Sequence, residues 1–487
     1  MKPMFINGQW VGSESGEWLD VLNPATEEVL DRVPAGTPHD AIQAIAAAKT
    51  AFAEWRWVPG VQKAQMMHEA TRKMHHHLDE IVELLTLEEG KPIPENVEEL
   101  EWVIGTFDYY AELARTYRGR LLAPSARSQF NFVLKEPLGV AACITPFNFP
   151  LLLMAWKVAP ALAAGNTVII KPAEKTPLST LRLIELAFDH FPAGVINVLT
   201  GYGHSVGETL VTHPDVPLIA FTGSTAVGQR IARLAADQMK RTHLELGGKD
   251  AFVIAPDAQI ETAIEAVAYA ALINAGQVCT STERVYVPHR MMGAFAGGLA
   301  DYVAGLRLGP GLDPTTDMGP MADEKYRAKV EAHVAEAVQK GAKVLTGGAR
   351  PGQFQRGYYY QPTVLVNINH DMAIMRQETF GPTIPIMGYR DFDQAIHLVN
   401  DSDFGLGAVC RTNDPRFAKQ FFEEVQAGTI WINDPLTDNY GGPFGGMKMS
   451  GNARELGEEG LESFLETKHV HWDFDDQKKN WWYPYHQ

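Results

Sequence analysis

Cys279 lies in Asn274-Ala-Gly-Gln-Val-Cys-Thr-Ser-Thr282, a run of small and polar residues that leaves its sulfur uncrowded. A cysteine attacks a carbonyl only as thiolate, so it needs an electropositive or helix-N-terminal setting and access to substrate. A lone cysteine is more often a small buried hydrophobe, and Cys143, inside an apolar segment, and Cys410 fit that description. Glu245, in Leu244-Glu-Leu-Gly-Gly-Lys249, is the matching candidate base. Burial between leucines raises a carboxyl towards neutrality, as general-base work requires; a surface Glu at a strand end is the competing reading. Thr145-Pro-Phe-Asn-Phe-Pro150 sets one amide, Asn148, between two aromatics and two prolines. A fixed amide N–H suits a developing oxyanion, although the same residues also make a rigid turn.

Two further segments look built for a dinucleotide. Phe221-Thr-Gly-Ser-Thr-Ala-Val-Gly228 follows an apolar strand and opens a helix, so its glycines and Ser224 would offer free N–H groups to a pyrophosphate. It is not the GxGxxG fingerprint. In Ile169-Ile-Lys-Pro-Ala-Glu-Lys-Thr-Pro177, Lys171 and Glu174 stand at a strand end, where they could hydrogen-bond ribose hydroxyls. A plain βα turn is the alternative for both.

The elements that must position these residues alternate. Helical patterns run over 40–55, with His39–Asp40 as the cap, over 62–88 and over 95–117. From about residue 140 the rhythm changes. Strands are predicted at 139–145, 167–171, 195–199 and 218–221, and helices at 151–164, 179–188, 207–212 and 223–239. A second block follows Gly248, with strands at 251–254, 284–287, 343–346, 383–388 and 429–432. Alternation of this kind means βαβ units and parallel sheets. Segments 130–136 and 466–472 belong to neither block, and are expected to form a small extra sheet or to pair with a neighbouring subunit.

The bulk numbers limit the rest. With 487 residues, 45% hydrophobic and 21% charged, the chain suits two or three domains. A net charge of −17 argues against a nucleic-acid or anionic-membrane surface. No apolar stretch matches a signal peptide or a membrane span. Three cysteines suit a reducing compartment, so a cytoplasmic protein is expected. His75-His-His77 occupies consecutive helix positions, which cannot converge on one ion, so no metal site is expected.

The order of these motifs resembles one family, the non-acylating NAD(P)-dependent aldehyde dehydrogenases. The likeness runs from Ile6-Asn-Gly-Gln-Trp10 to Glu466-Thr-Lys468. It takes in the Asn148 loop, Lys171-Pro-Ala-Glu174, 221–228, Glu245-Leu-Gly-Gly248, Gly276-Gln-Val-Cys279, Gln377-Glu-Thr-Phe-Gly-Pro382 and Pro443-Phe-Gly-Gly-Met-Lys-Met-Ser-Gly451. The resemblance implies an α/β fold with a Rossmann-like cofactor domain (1–121 and 140–247), a second α/β catalytic domain (248–448) and small β oligomerisation segments (122–139 and 449–487). It implies a homodimer or homotetramer.

It also implies roles. Cys279 is the nucleophile, its backbone N–H and the Asn148 amide form the oxyanion hole, and Glu245 activates the hydrolytic water. Lys157 and Glu455 resemble the pair that carries a proton away from Glu245. Lys171 and Glu174 hold the adenosine ribose and Ser224 the pyrophosphate. Glu378 holds the nicotinamide ribose, and Phe380 lies at the nicotinamide end. Ile144, Thr145, Pro146, Phe147, Phe221, Gly223, Gly228 and Leu246 complete the cofactor site. Phe149, Leu153, Trp156, Val278, Thr280, Phe444 and the loop 433–440, with Asp438, are expected to line the substrate tunnel. An acidic, amide-rich loop suggests a hydroxylated or cationic aldehyde such as lactaldehyde or betaine aldehyde. Glu174 favours NAD over NADP, which stays possible. Phe147 and Ala453 depart from the family's usual Trp and Gly. A coenzyme A-acylating semialdehyde dehydrogenase and a non-catalytic protein that keeps the fold are the alternatives.

Overall fold

The computed structural model describes residues 1–117 and 119–485. Two seven-stranded sheets carry the molecule. The first runs in the order Arg241–Glu245, Leu218–Thr222, Val140–Ile144, Thr167–Lys171, Ile196–Val198, Met4–Ile6, Gln9–Val11. Its first five strands are parallel, and Met4–Ile6 joins the edge antiparallel. The second runs Lys343–Thr346, Thr363–Val366, Thr383–Tyr389, Thr282–Pro288, Asp250–Ile254, Gly407–Arg411, Thr429–Ile432. Strands such as Val140–Ile144, Leu218–Thr222 and Asp250–Ile254 are buried at every residue, as parallel strands covered on both faces must be.

The two segments outside the blocks pair with each other. Leu465–Asp473 lies antiparallel to Gln129–Pro137, from Leu465 opposite Pro137 to Asp473 opposite Gln129, and Arg120–Leu122 adds a third strand.

Four helices precede the first sheet's main strands: α1 (Pro38–Trp55), α2 (Gly60–His76), α3 (Leu78–Glu89) and α4 (Ile93–Thr116). Two expectations are corrected here. The cap of α1 is Thr37, not His39–Asp40: its hydroxyl accepts from the Asp40 amide while Asp40 reaches back to the Thr37 amide, a reciprocal capping box. The single helix expected over 62–88 is two helices, because His77 leaves helical geometry at φ −109°, ψ 20°.

Five later helices follow: α5 (Pro150–Ala164), α6 (Leu178–Ala187), α7 (Glu208–Thr212), α8 (Thr225–Ala236) and α9 (Ile260–Leu272). Helix α8 is shorter than the expected 223–239, since Ser224 takes the extended N-cap conformation. The strand Arg241–Glu245, not anticipated as such, follows it and ends on Glu245. No helix among the described residues is long and apolar enough to cross a membrane.

Candidate active site

The Cys279 segment leaves α9 through a tight turn. Asn274 and Ala275 both adopt left-handed backbone (φ 50° and 54°), a strained choice for residues with a Cβ. The surroundings impose it. The Asn274 amide donates to Glu95 Oε2 at 2.9 Å, and its Nδ2 donates to Glu89 Oε1 at 2.9 Å and to the Asn148 carbonyl at 2.7 Å. Gly276 must be glycine, because a Cβ would stand 2.4 Å from the Gly381 carbonyl oxygen. Asn148 Nδ2 donates to the Gln277 carbonyl at 2.9 Å, leaving its second amide hydrogen for another acceptor. The nucleophile loop and the oxyanion candidate are thus fastened to each other and to α3 and α4.

Cys279 is half-buried and free of disulfide. Burial, then Glu245, Asp250, Asp438 and Glu378, push its thiol well above its ordinary value. The electropositive setting expected of an activated cysteine is absent from this arrangement. A base must take its proton.

Glu245, which lines the same cleft, is the candidate. It is fully buried, and neither carboxylate oxygen has a hydrogen-bond partner among the described residues. Burial and the charge of Glu455 push its carboxyl well above the ordinary range, against the pull of Lys157. The expected surface-Glu alternative is excluded. Lys157, on α5, donates from Nζ to Glu455 Oε1 at 2.5 Å, Thr222 Oγ1 at 2.5 Å and the Leu153 carbonyl at 3.3 Å. Burial raises the Glu455 carboxyl, but Lys157 and His243 outweigh it and hold the group below its usual value. Ala453 accommodates its Cβ while buried, so its exchange for glycine leaves the Glu455 turn intact.

A cleft of about 990 Å³ opens at the carboxyl ends of the first sheet's strands. Ile144, Thr145, Pro146, Phe147 and Asn148 line it from the loop after Val140–Ile144. Lys171 and Glu174 line it from the next strand end, with Lys171 Nζ 2.9 Å from Glu174 Oε1. Burial opposes the charge on Glu174, but Lys171 and the amides around it keep its carboxyl below the ordinary value. Phe221, Gly223 and Ser224 lie at the N-terminus of α8, and a Cβ on Gly223 would stand 2.6 Å from the Phe221 ring. Gly228 is one correction: it lies behind Leu246, whose Cδ2 a Cβ there would meet at 2.4 Å, and does not line the cleft. Leu246, Glu378 and Phe380 close the other side. Glu283 accepts from the Thr379 and Phe380 amides at 2.7 Å each, which holds Phe380 at φ 59°. Burial and the Glu283 charge push Glu378 up to about 7. Tyr326 was not foreseen. It lies 4.8 Å from Phe147 and 5.9 Å from Phe380 between ring centroids, and its helix is remote in sequence.

A second, narrower cavity of about 90 Å³ lies beyond the sulfur. Phe149, Leu153, Trp156, Val278, Thr280, Asp438 and Phe444 all line it, as expected. Of the loop 433–440 only Leu436 and Asp438 reach it; Asn433 bonds Thr412, and Tyr440 packs on Trp102. Helices α4 and α9 supply walls that sequence reasoning missed: Glu95, Glu98, Trp102 and Tyr269. Burial pushes Asp438 up to about 7. Burial also brings Glu95 to about 7, against the Lys91 charge. The lining includes four carboxylates and no lysine or arginine. Among the described residues Cys279 is the only one that lines both cavities.

The exposed His75 and His76 end α2, away from these cavities.

Comparison with known proteins matches residues 10–470 to the aldehyde dehydrogenase family. A betaine aldehyde dehydrogenase of Bacillus subtilis is 36% identical over 98% of this chain and 99% of its own. The NADP(+) succinate-semialdehyde dehydrogenase GabD of Escherichia coli is 37% identical over 96% of each. A crystal structure of Staphylococcus aureus betaine aldehyde dehydrogenase in complex with NAD+ is 36% identical, covering 99% of this chain and 97% of that one, with a TM-score of 0.97. With matches that span nearly its whole length and the motif residues gathered around one sulfur, the chain belongs to the aldehyde dehydrogenase family.

Proposed function

We propose that the protein oxidises a small polar aldehyde, one carrying a cationic group, to its carboxylic acid with NAD, NADP serving less well. The observation that carries this reading is Cys279 at the junction of two cavities, one sized for a dinucleotide and one narrow and acidic. The larger cleft fits the cofactor's parts: a helix N-terminus with Gly223 and Ser224 for a pyrophosphate, the Lys171–Glu174 pair for ribose hydroxyls, and Glu378 for a second ribose. Phe147 and Phe380 border its inner end. When bound, such a cofactor supplies the hydride acceptor.

The chain's own groups do the remainder. Cys279, its proton taken by a nearby base, adds to the aldehyde carbon and gives a thiohemiacetal. The Asn148 amide and the Cys279 N–H hold the oxyanion. Loss of hydride from that carbon leaves a thioester on Cys279. Glu245, kept basic by burial, deprotonates a water that releases the acid. Lys157 and Glu455 lead the proton away.

The cationic preference rests on aromatic walls and four carboxylates, of which Lys91 neutralises Glu99 and leaves Glu95, Glu98 and Asp438 to face a substrate cation. Relatives named as betaine aldehyde and aminoaldehyde dehydrogenases, the latter a Pisum sativum protein 35% identical, support it. Exposed Leu121, Phe130, Leu134 and Trp472 on the three-stranded sheet support a homodimer or homotetramer.

The test is reduced-cofactor formation across alkyl, aromatic, hydroxylated, cationic and semialdehyde substrates, with NAD or NADP and without coenzyme A. Turnover should be highest with cationic aldehydes, vanish in Cys279→Ala, and fall about 10²- to 10⁴-fold in Glu245→Gln. Acid release that requires coenzyme A, or no turnover by a folded protein that binds NAD, would replace this reading.

A further inference from the structure

Glu245, at the wall of the cleft, belongs to a buried set of four ionisable groups. Strand alternation puts His243 on the same face of Arg241–Glu245 as Glu245, in register with Ala220 where Glu245 is in register with Thr222. Lys157 Nζ donates to Thr222 Oγ1 and to Glu455 Oε1, both at 2.5 Å, and His243 Nε2 lies 3.5 Å from that same Glu455 oxygen. Lys157, Glu245 and Glu455 have no exposed surface, and His243 is 3% exposed. His243 Nε2, Glu455 Oε2 and both Glu245 oxygens lack a hydrogen-bond partner among the described residues.

Charge counting shows what such a set allows. Lys157 and Glu455 neutralise each other. If Glu245 ionises alone, one buried negative charge stays uncompensated, which a low-dielectric site strongly disfavours. If His243 is protonated as Glu245 ionises, the set is neutral again. Lys157, the cation that acts on Glu245 among the described residues, is already held by Glu455. Burial pushes the Cys143 thiol, two strands away in the same sheet, up to about 12, and pushes the Tyr110 phenol, on α4, well above its usual value. On the far side of Glu245, burial likewise raises Asp250 and Glu378, which add no cation.

We propose that His243 is a positioning residue for deacylation: it accepts a proton when Glu245 gives one up, so that the buried set stays neutral while Glu245 acts as base. This rests on the reading of Glu245 as the base. In the step itself, water's oxygen bonds the acyl carbon, the carbon–sulfur bond breaks, and Cys279 leaves as thiolate. One water hydrogen stays on the acid and the other passes to Glu245. Glu245 is restored when the imidazolium releases its proton to solvent and the proton on Glu245 moves past Lys157 and Glu455 to the freed imidazole, which makes the set neutral again.

The experiment uses the full-length protein with His243→Gln and His243→Ala. It compares kcat across pH with the rate of a single turnover, which reports acylation alone. With the histidine gone, Glu245 must ionise uncompensated. The acid limb of kcat should move up by about one pH unit and kcat near neutrality should fall about tenfold. The single-turnover rate should stay within about twofold, and added imidazole should partly restore His243→Ala. A kcat profile that superimposes on the unsubstituted protein's overturns the proposal. So does an equal loss in both steps with the limb unmoved, which is the mark of mere structural damage. If the unsubstituted protein turns over and Glu245→Gln leaves its deacylation intact, the base reading fails instead.

Discussion

The acidic tunnel makes substrate preference a function of pH. Asp438 and Glu95 are pushed by burial to about 7 each. A carboxyl raised in this way is neutral below that value and charged above it, so the tunnel gains negative charge as pH rises through about 7. The measurement is the ratio of kcat/KM for betaine aldehyde to that for its neutral carbon isostere, which matches it in shape and differs in charge. A full charge about 4–5 Å from the substrate cation, at an effective dielectric near 20, is worth about 3–4 kcal/mol. Glu98 at the mouth is exposed, and solvent and salt reach this region, which cuts the effect to about 1–2 kcal/mol. The ratio should therefore climb about ten- to thirtyfold between about pH 6 and pH 8.5. Asp438→Asn should remove about half of the climb, and Asp438→Asn with Glu95→Gln most of it. The isostere's own kcat/KM should change little between these variants. A ratio that stays flat with pH, or a climb that survives the double substitution, refutes the electrostatic argument.

Cofactor choice should respond to Glu174, whose ionised carboxylate repels a 2′-phosphate. Glu174→Gln is expected to raise kcat/KM with NADP about tenfold while lowering that with NAD, read from initial rates with each. Lys91 is fully buried between Glu89 and Glu99, and Glu99 in turn accepts from the Leu151 and Leu152 amides at 3.0 Å each. Lys91→Met should cost about 3–5 kcal/mol in urea unfolding, because it leaves two carboxylates buried without their cation; a loss below about 1 kcal/mol would contradict that.

The chemistry was legible where it is local. Cys279, Glu245 and Asn148 declare themselves through their immediate neighbours, and the structure brings all three together. The Lys157–Glu455 pair spans 298 positions, so only a resemblance could join them. His243 gave no signal: a single histidine in a strand gains meaning only from what faces it. Glu95, Glu98 and Trp102 fall in the helical pattern over 95–117, and nothing in that stretch says that another element will close over them. The strand Arg241–Glu245 escaped notice because its first three residues are Arg, Thr and His, which break the apolar run. The break at His77 escaped for the opposite reason. Buried Met74, Ile81 and Leu85 keep a helical rhythm across it, and only the backbone angles change.

The meeting of two cavities at one sulfur bears on how such a protein diversifies. Among the described residues, those that would grip the cofactor and those that would sort aldehydes form separate sets, with no wall in common apart from Cys279. Changes on one side need not be repaired on the other, and their effects should multiply rather than interfere. A lineage can therefore exchange NAD for NADP, or one aldehyde for another, in either order. Each intermediate remains a working catalyst, because the shared sulfur is left as it was.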